Sequence, residues 1–185
     1  MSGKDDHLIE VMTRRDEMFR GRFLHAFRDT VELPDGSISD REYLVHPGAV
    51  MVIPLLVDSD GAPRLVLERQ YRYPIGQVMI EFPAGKLDPG EDRLACARRE
   101  LREETGYVAR QWARAGVIHP VISYSTEFIE IWFAKDLTAG EPHLDDHLEL
   151  AREALELGRR LPAGVSTEQA IDGLRADGQD ELADM

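Results

Sequence analysis

A glycine-rich turn followed by a charged helix, residues 83–106, constrains this chain more than any other segment. Asp88 and Glu91 have the spacing of a capping box, which predicts a helix that begins near Asp88. Gly106 is placed to end that helix after Thr105 in the left-handed conformation. At about 100° per residue, three apolar residues share one face and are expected to be buried. They are Leu94, Ala97 and Leu101.

Three carboxylates lie together on the adjoining arc of this helix. Glu100 is three residues before Glu103 and four before Glu104, and each of these like-charge pairs costs a few tenths of a kcal/mol in an isolated helix. Arg99 relieves only part of this repulsion, through Glu103 four residues on. A hard divalent cation would relieve the rest, because Mg²⁺ favours carboxylate oxygens. The alternative for these residues alone is a solvated helix face crossed by salt bridges.

The turn and helix contain a string of fixed spacing. It runs Gly85-x5-Glu91-x7-Arg99-Glu100-Leu101-x-Glu103-Glu104-x-Gly106. This string resembles the signature of the Nudix hydrolases, with every fixed position filled. Tyr107 follows it, where the pattern more often has an aliphatic residue.

Three further runs extend the resemblance over about residues 22–135. Val45–Val50, Arg69–Pro74 and Glu81–Leu87 are similar to the ADP-ribose pyrophosphatase branch of the family. The resemblance implies an α/β fold, a Nudix α/β/α sandwich with a mixed sheet, preceded by a small N-terminal antiparallel β-hairpin region. It also implies hydrolysis of the pyrophosphate bond of ADP-ribose or a related nucleoside diphosphate sugar, giving a nucleoside monophosphate and a sugar phosphate.

The same resemblance implies a magnesium site, with Mn²⁺ as the alternative ion. Its ligands would be Glu100 and Glu104, completed by Glu103 and the Ala84 carbonyl. Glu91 and Arg99 would brace the loop and the glutamates. The implied catalytic residues are Glu103, Glu104, Arg99 and Asp146. The reaction would be metal-assisted attack of water on a pyrophosphate.

Substrate binding is implied for Arg72, Glu81 and Arg41. Arg72 would contact the phosphates, although an exposed strand arginine is the alternative for that residue. In this branch an N-terminal hairpin crosses a homodimer, which would place Arg41, with Glu42 beside it, in the partner's site.

The chain departs from the branch at two places. Val121–Ser123 stands where a Ser-Pro-Gly turn is common, so the exact substrate stays open. The catalytic base falls on Asp146, within Asp145–Leu150. Helical spacing of four apolar residues nevertheless predicts a helix there rather than a loop. These are Leu144, Leu148, Ala151 and Leu155.

Turn residues define the N-terminal region. Leu33-Pro34-Asp35-Gly36-Ser37 separates two strand-like runs, which predicts an antiparallel hairpin of residues 22–33 and 38–46. Residues 8–20 suit either a short helix or a first strand. We therefore expect an N-terminal β region over residues 1–47, contributing to dimerisation and substrate binding. A Nudix domain with an acidic C-terminal helical segment is expected over residues 48–185.

Charge and composition exclude several partners. The 185 residues contain 22 basic and 35 acidic side chains, a net charge of −13, which disfavours nucleic acids and anionic membranes. No apolar run approaches the length of a membrane span, and no apolar signal segment is visible, so a cytoplasmic protein is expected. The single cysteine, Cys96, is expected to be a structural thiol.

Three alternative functions remain open from the sequence. Two are enzymes of the same family, acting on GDP-mannose or removing nucleoside triphosphates. The third is a module that binds ADP-ribose without turnover. Such a module should have lost glutamates of the motif, and this chain keeps them all.

Overall fold

The computed structural model describes residues 5–57, 61 and 63–140, and the backbone of residues 148–151. The strands are β1 (Val11–Arg20), β2 (His25–Glu32), β3 (Ile38–Val45), β4 (Ala49–Val57), β5 (Pro63–Leu65), β6 (Leu67–Arg72), β7 (Gln77–Glu81), β8 (Ala84–Lys86), β9 (Tyr107–Ile118), β10 (Ile129–Ala139) and β11 (Leu148–Ala151). The α-helix is α1 (Arg93–Thr105), and short 3₁₀ turns cover Asp6–Leu8 and Tyr73–Ile75. The chain divides into two units, Met1–Gly48 with His119–Phe128, and Ala49–Ile118 with Ile129–Met185.

The first unit contains an antiparallel sheet of order β1-β2-β3. The predicted hairpin is confirmed, and the open choice for residues 8–20 is settled as a strand. The Gly36 N–H donates to the Leu33 carbonyl at 2.8 Å, and the Asp35 carboxylate accepts from the Ser37 N–H at 2.9 Å. Local turn chemistry therefore fixes the register of this hairpin.

The second unit contains a mixed sheet and a smaller antiparallel one. The mixed sheet has the order β5-β4-β10-β9, with β8 also on β4, and its β4–β10 pair is parallel. The smaller sheet has the order β11-β6-β7. The mixed sheet predicted from the sequence is confirmed.

Pro54 lies at the end of the pairing between β4 and β10. That pairing runs to Ala134 opposite Pro54, and on the other side of β4 the pairing with β5 begins only at Leu55. A proline has no N–H to donate to a sheet, so this position between the two pairings accommodates it.

Helix α1 begins later than the capping box predicts. The Asp92 carboxylate accepts from the Ala95 N–H at 2.9 Å, so Asp92 is the N-cap and Asp88 is not. The Asp88–Glu91 pair forms a turn instead, in which each backbone N–H is bonded by the other residue. The C-terminus is as predicted, with Gly106 left-handed at φ 72°.

The core of the second unit lies between α1 and the mixed sheet. Buried residues from the helix and the strands form one cluster: Val50, Val52, Val66, Cys96, Ala97, Leu101, Tyr107 and Ala134. Trp112 and Trp132 are partly buried against it. The predicted burial is confirmed for Ala97 and Leu101, whereas Leu94 is only half-buried, and the Cys96 thiol is buried as a structural residue.

The predicted C-terminal helix is wrong for Leu148–Ala151. These residues form β11, antiparallel to β6, with Leu148 opposite Gln70. The i, i+3, i+4 spacing of apolar residues carries no information about a strand partner far away in the chain. Pairing with that partner, β6, decides the structure here. The remaining residues of the predicted helix lie outside the described part of the chain.

Among the described residues, no helix has both the length and the apolar character that crossing a bilayer requires.

The N-cap assignment makes a prediction for stability. Asp92→Ala removes the acceptor for the Ala95 N–H and should lower the free energy of unfolding by about 1 kcal/mol in urea denaturation followed by circular dichroism. Asp88→Ala is the matched control and should change it by less than about 0.5 kcal/mol, because the Asp88 backbone makes the turn contacts. Equal losses in the two variants would contradict the assignment.

Candidate active site

Arg99 ties helix α1 to the loop that precedes it. Its Nε and Nη2 atoms donate to the two carboxylate oxygens of Glu91, both at 2.9 Å, and Nη2 also reaches the Lys86 carbonyl at 3.3 Å. The Arg99 guanidinium lowers the pKa of Glu91 to about 2. Such a two-bond ion pair fixes both position and orientation. The loop is therefore held on the helix face.

The same guanidinium serves two further carboxylates on its helix. Nη1 of Arg99 donates to Glu100 at 2.7 Å and to Glu103 at 3.2 Å. Glu100 is 9% exposed, and burial raises its pKa, an effect that the charge of Arg99 partly offsets. The Glu103 side chain is 40% exposed. One cation is thus shared by three acids.

Glu100 also packs closely against the glycine turn. A Cβ atom at position 85 would overlap the carboxyl group of Glu100. A side chain there would force the buried Glu100 carboxylate away from its position, so glycine lets the loop approach the helix this closely. The glycine at the start of the motif is explained by the carboxylate that it accommodates.

Glu104 ends the row of helix acids. Its Oε2 accepts from the Ala84 N–H at 3.0 Å, and its carboxyl group is hydrogen-bonded to Glu68. Burial, followed by the charges of Glu68 and Glu100, raises the pKa of Glu104. This bond uses the N–H of Ala84, and the Ala84 carbonyl, which the resemblance names as a metal ligand, takes no part in it.

Glu68 is the site residue that sequence reasoning missed. It lies on β6 with 1% exposure, and its Oε2 has no hydrogen-bond partner among the described residues. Burial raises its pKa, and Glu81, directly opposite it on β7, adds a second negative charge. A charged residue directly after the apolar run Leu65–Leu67 was the available signal.

Arg72 and Glu81 form an ion pair through two bonds. Nε and Nη2 of Arg72 donate to the two oxygens of Glu81 at 2.8 and 2.6 Å. Both are half-buried, and the bond to Glu81 raises the pKa of Arg72. The structure therefore joins two of the residues predicted to bind substrate.

The donor set suits a hard divalent cation. The described acids of the site are Glu68, Glu81, Glu91, Glu100, Glu103 and Glu104, and their direct ion pairs are with Arg72 and Arg99. No three acidic, histidine or cysteine side chains in the described part form a preformed metal cage. Mg²⁺ does not need one, because it retains waters and binds one or two carboxylates together with substrate phosphates. The unpartnered Glu68 oxygen supports the fit.

Arg41 and Asp146 are the remaining site residues predicted from the sequence. Arg41 lies in the first unit, where its Nε donates to Glu10 at 2.9 Å, and Glu42 is its neighbour on β3. Asp146, the predicted base, lies outside the described residues. The backbone that follows it, Leu148–Ala151, pairs with β6.

These features define a class of enzyme in which one helix on a mixed sheet presents several carboxylates beside a glycine loop. Comparison with known proteins identifies the class. The family model "NUDIX domain" matches residues 45–160, and the model "Nucleoside diphosphate sugar hydrolase N-terminal domain" matches residues 13–44. The chain belongs to the Nudix family and is a Nudix hydrolase, which confirms the resemblance stated from the sequence.

Two relatives and one solved structure show the extent of the similarity. An ADP-ribose pyrophosphatase of Bacillus subtilis (strain 168) is 33% identical over 158 residues, 83% of each chain. A methanol dehydrogenase activator of Bacillus methanolicus is 39% identical over 134 residues, 71% of this chain and 69% of that one. A crystal structure of an ADP compounds hydrolase covers 96% of this chain and 98% of its own, with a TM-score of 0.70 at 23% identity, and it supports the fold.

The bonds that Arg99 shares among three carboxylates predict how its replacement changes stability. Arg99→Lys keeps the charge but cannot bond both oxygens of Glu91 while also reaching Glu100. It should lower the free energy of unfolding by about 1–3 kcal/mol in urea denaturation. Arg98→Lys, on the exposed face of the same helix, should stay within about 0.5 kcal/mol of the parent. A stable Arg99→Lys variant would show that the clamp does not hold the loop.

Proposed function

We propose that this protein hydrolyses the pyrophosphate bond of a nucleoside diphosphate sugar, ADP-ribose first, to a nucleoside monophosphate and a sugar phosphate. The observation that carries the proposal is the row of carboxylates that Arg99 and Gly85 hold on one face of α1. The similarity to an ADP-ribose pyrophosphatase over 83% of the chain supports the choice of substrate.

Mg²⁺ is the proposed ion, with Mn²⁺ as a substitute. Bound at this site, it would neutralise charge on the diphosphate and lower the pKa of a bound water. Glu100 and Glu104 would hold it, completed by Glu103 and the Ala84 carbonyl. Arg99 and Glu91 act on these groups indirectly, because their ion pair holds the loop against the helix.

Arg72 is proposed to bind the substrate phosphates. A guanidinium matches the geometry of phosphate oxygens, and its pairing with Glu81 presets its orientation before substrate arrives. The proposed role of Glu81 is therefore to position Arg72. Asp146 remains the proposed general base, on the sequence resemblance alone.

We also propose that residues 1–47 form a dimerisation region that contributes to the partner's site through Arg41 and Glu42, while residues 48–185 form the Nudix domain. Strand β1 of the first unit exposes apolar side chains that suit an interface: Val11, Met12, Met18 and Phe19, each at least half exposed. The proposed location is the cytoplasm.

A substrate panel tests the function. ADP-ribose, GDP-mannose and nucleoside triphosphates are incubated with the protein and Mg²⁺, and phosphatase-sensitive monophosphate is measured. ADP-ribose should give the highest kcat/KM, and chelation of the ion should stop the reaction. A preference for triphosphates or GDP-mannose would move the proposal to that substrate, and binding of ADP-ribose without turnover would indicate the non-catalytic module.

In the same assay, the variant Glu104→Gln tests whether Glu104 is a ligand of the metal ion. It should lower kcat by about 100-fold or more, because it removes a proposed ligand of the ion that neutralises charge on the reacting phosphates, while circular dichroism stays unchanged. Glu32→Gln, an exposed glutamate at the end of β2, is the control and should keep the parent activity. Near-normal turnover by Glu104→Gln would refute the assignment.

A mixing experiment tests the partner's contribution. Arg41→Ala and Glu104→Gln should each be inactive, and equal amounts allowed to exchange subunits should recover about a quarter of the parent activity, because half of the dimers then contain one intact site. Glu100→Gln mixed with Glu104→Gln is the control without recovery, since both changes fall in one protomer's site. Absence of recovery in the first mixture would contradict the role of Arg41.

A further inference from the structure

We propose that Glu68 is a further ligand of the divalent cation, supplied by strand β6 rather than by the helix that bears the motif. The inference rests on the proposed function, because it concerns the same cation. It adds a carboxylate that lies outside the motif that runs from Gly85 to Gly106.

The burial of Glu68 is the first argument. The residue is 1% exposed, and one of its carboxylate oxygens has no hydrogen-bond partner among the described residues. A buried polar oxygen without a partner destabilises the folded chain, and it does so more strongly when it is charged. A position required only for packing would be filled better by an apolar residue, so the carboxylate needs a ligand.

The surroundings of Glu68 indicate the chemistry of that ligand. Its carboxyl group lies beside that of Glu104, and Glu81 is opposite it on β7. Arg72, whose positive charge acts on Glu68, already directs two of its donors at Glu81. Glu68 therefore faces oxygen acceptors, and a cation is the ligand that binds several such oxygens at once.

The location of Glu68 restricts that cation to the proposed site. Glu104 bonds the N–H of Ala84 with one oxygen and contacts Glu68, so it connects the glycine loop and the helix to β6. A hard divalent ion prefers oxygen donors of this kind. Glu68 adds a donor from a separate strand, which makes the site depend on tertiary structure rather than on the helix alone.

Metal binding without substrate tests the inference. Isothermal titration of the metal-free full chain with Mn²⁺ is compared for the parent, Glu68→Gln and Glu104→Gln. Glu68→Gln keeps the shape and the hydrogen bond to Glu104, and it should weaken Mn²⁺ binding by about 10-fold or more, or remove one bound ion. The electron paramagnetic resonance spectrum of Mn²⁺ at saturation should also change, because a ligand has been replaced.

Two further variants keep the test decisive. Glu68→Met removes the buried carboxylate at similar volume and should fold, because replacement of a buried charge by an apolar residue is often neutral or stabilising. It should show the same loss of Mn²⁺ affinity. Glu130→Gln is the matched control, a glutamate 3% exposed that pairs with Arg93 and Arg114, and it should bind Mn²⁺ within about two-fold of the parent.

The outcomes separate this inference from the proposed function. If the parent binds no Mn²⁺, the proposed metal site fails. If Glu104→Gln loses binding while Glu68→Gln and Glu68→Met retain the parent affinity, the inference about Glu68 fails and the proposed function stands. An unchanged Mn²⁺ spectrum in Glu68→Gln, or an equal loss of affinity in Glu130→Gln, also overturns it.

Discussion

The structure of the second unit depends on balancing the repulsion between several carboxylates that lie side by side in partly buried positions. Arg99 offsets most of this repulsion, because it bonds Glu91 in the loop and both Glu100 and Glu103 on its own helix. Gly85 adds the space that Glu100 occupies. These two residues leave the charges of Glu104 and Glu68 without a compensating cationic side chain in direct contact among the described residues, and it is there that we propose the metal ion binds.

Local sequence patterns predicted the features that local interactions decide. The burial of Ala97 and Leu101 on α1, the end of that helix at Gly106 and the hairpin around Gly36 follow from helical spacing and turn residues, and the structure confirms each. The Arg99–Glu91 brace was reached through the family resemblance instead, which also named Arg72 and Glu81 but not their ion pair. Neither spacing in the chain nor composition indicates that those side chains meet.

Three features required the folded chain because they depend on distant partners. Glu68 gains its significance only when β6 lies beside Glu104, and nothing in Leu67–Arg72 alone indicates that contact. The shift of the N-cap to Asp92 follows from how the loop packs, since the two aspartates are equally good caps in sequence. The strand at Leu148–Ala151 forms because it pairs with an edge of β6. The helical spacing of leucines contains no information about that distant edge.

The pairing of β11 with β6 has a consequence for how the protein is made. Gln70 and Leu148 are opposite each other in the sheet but far apart in the chain, so closing this pair carries a large loop entropy. Until the C-terminal part of the chain leaves the ribosome, that side of the strand bearing Glu68 has unpaired backbone groups open to other nascent chains. The sheet around the strand that bears Glu68 is therefore among the last parts of the fold to be completed during synthesis.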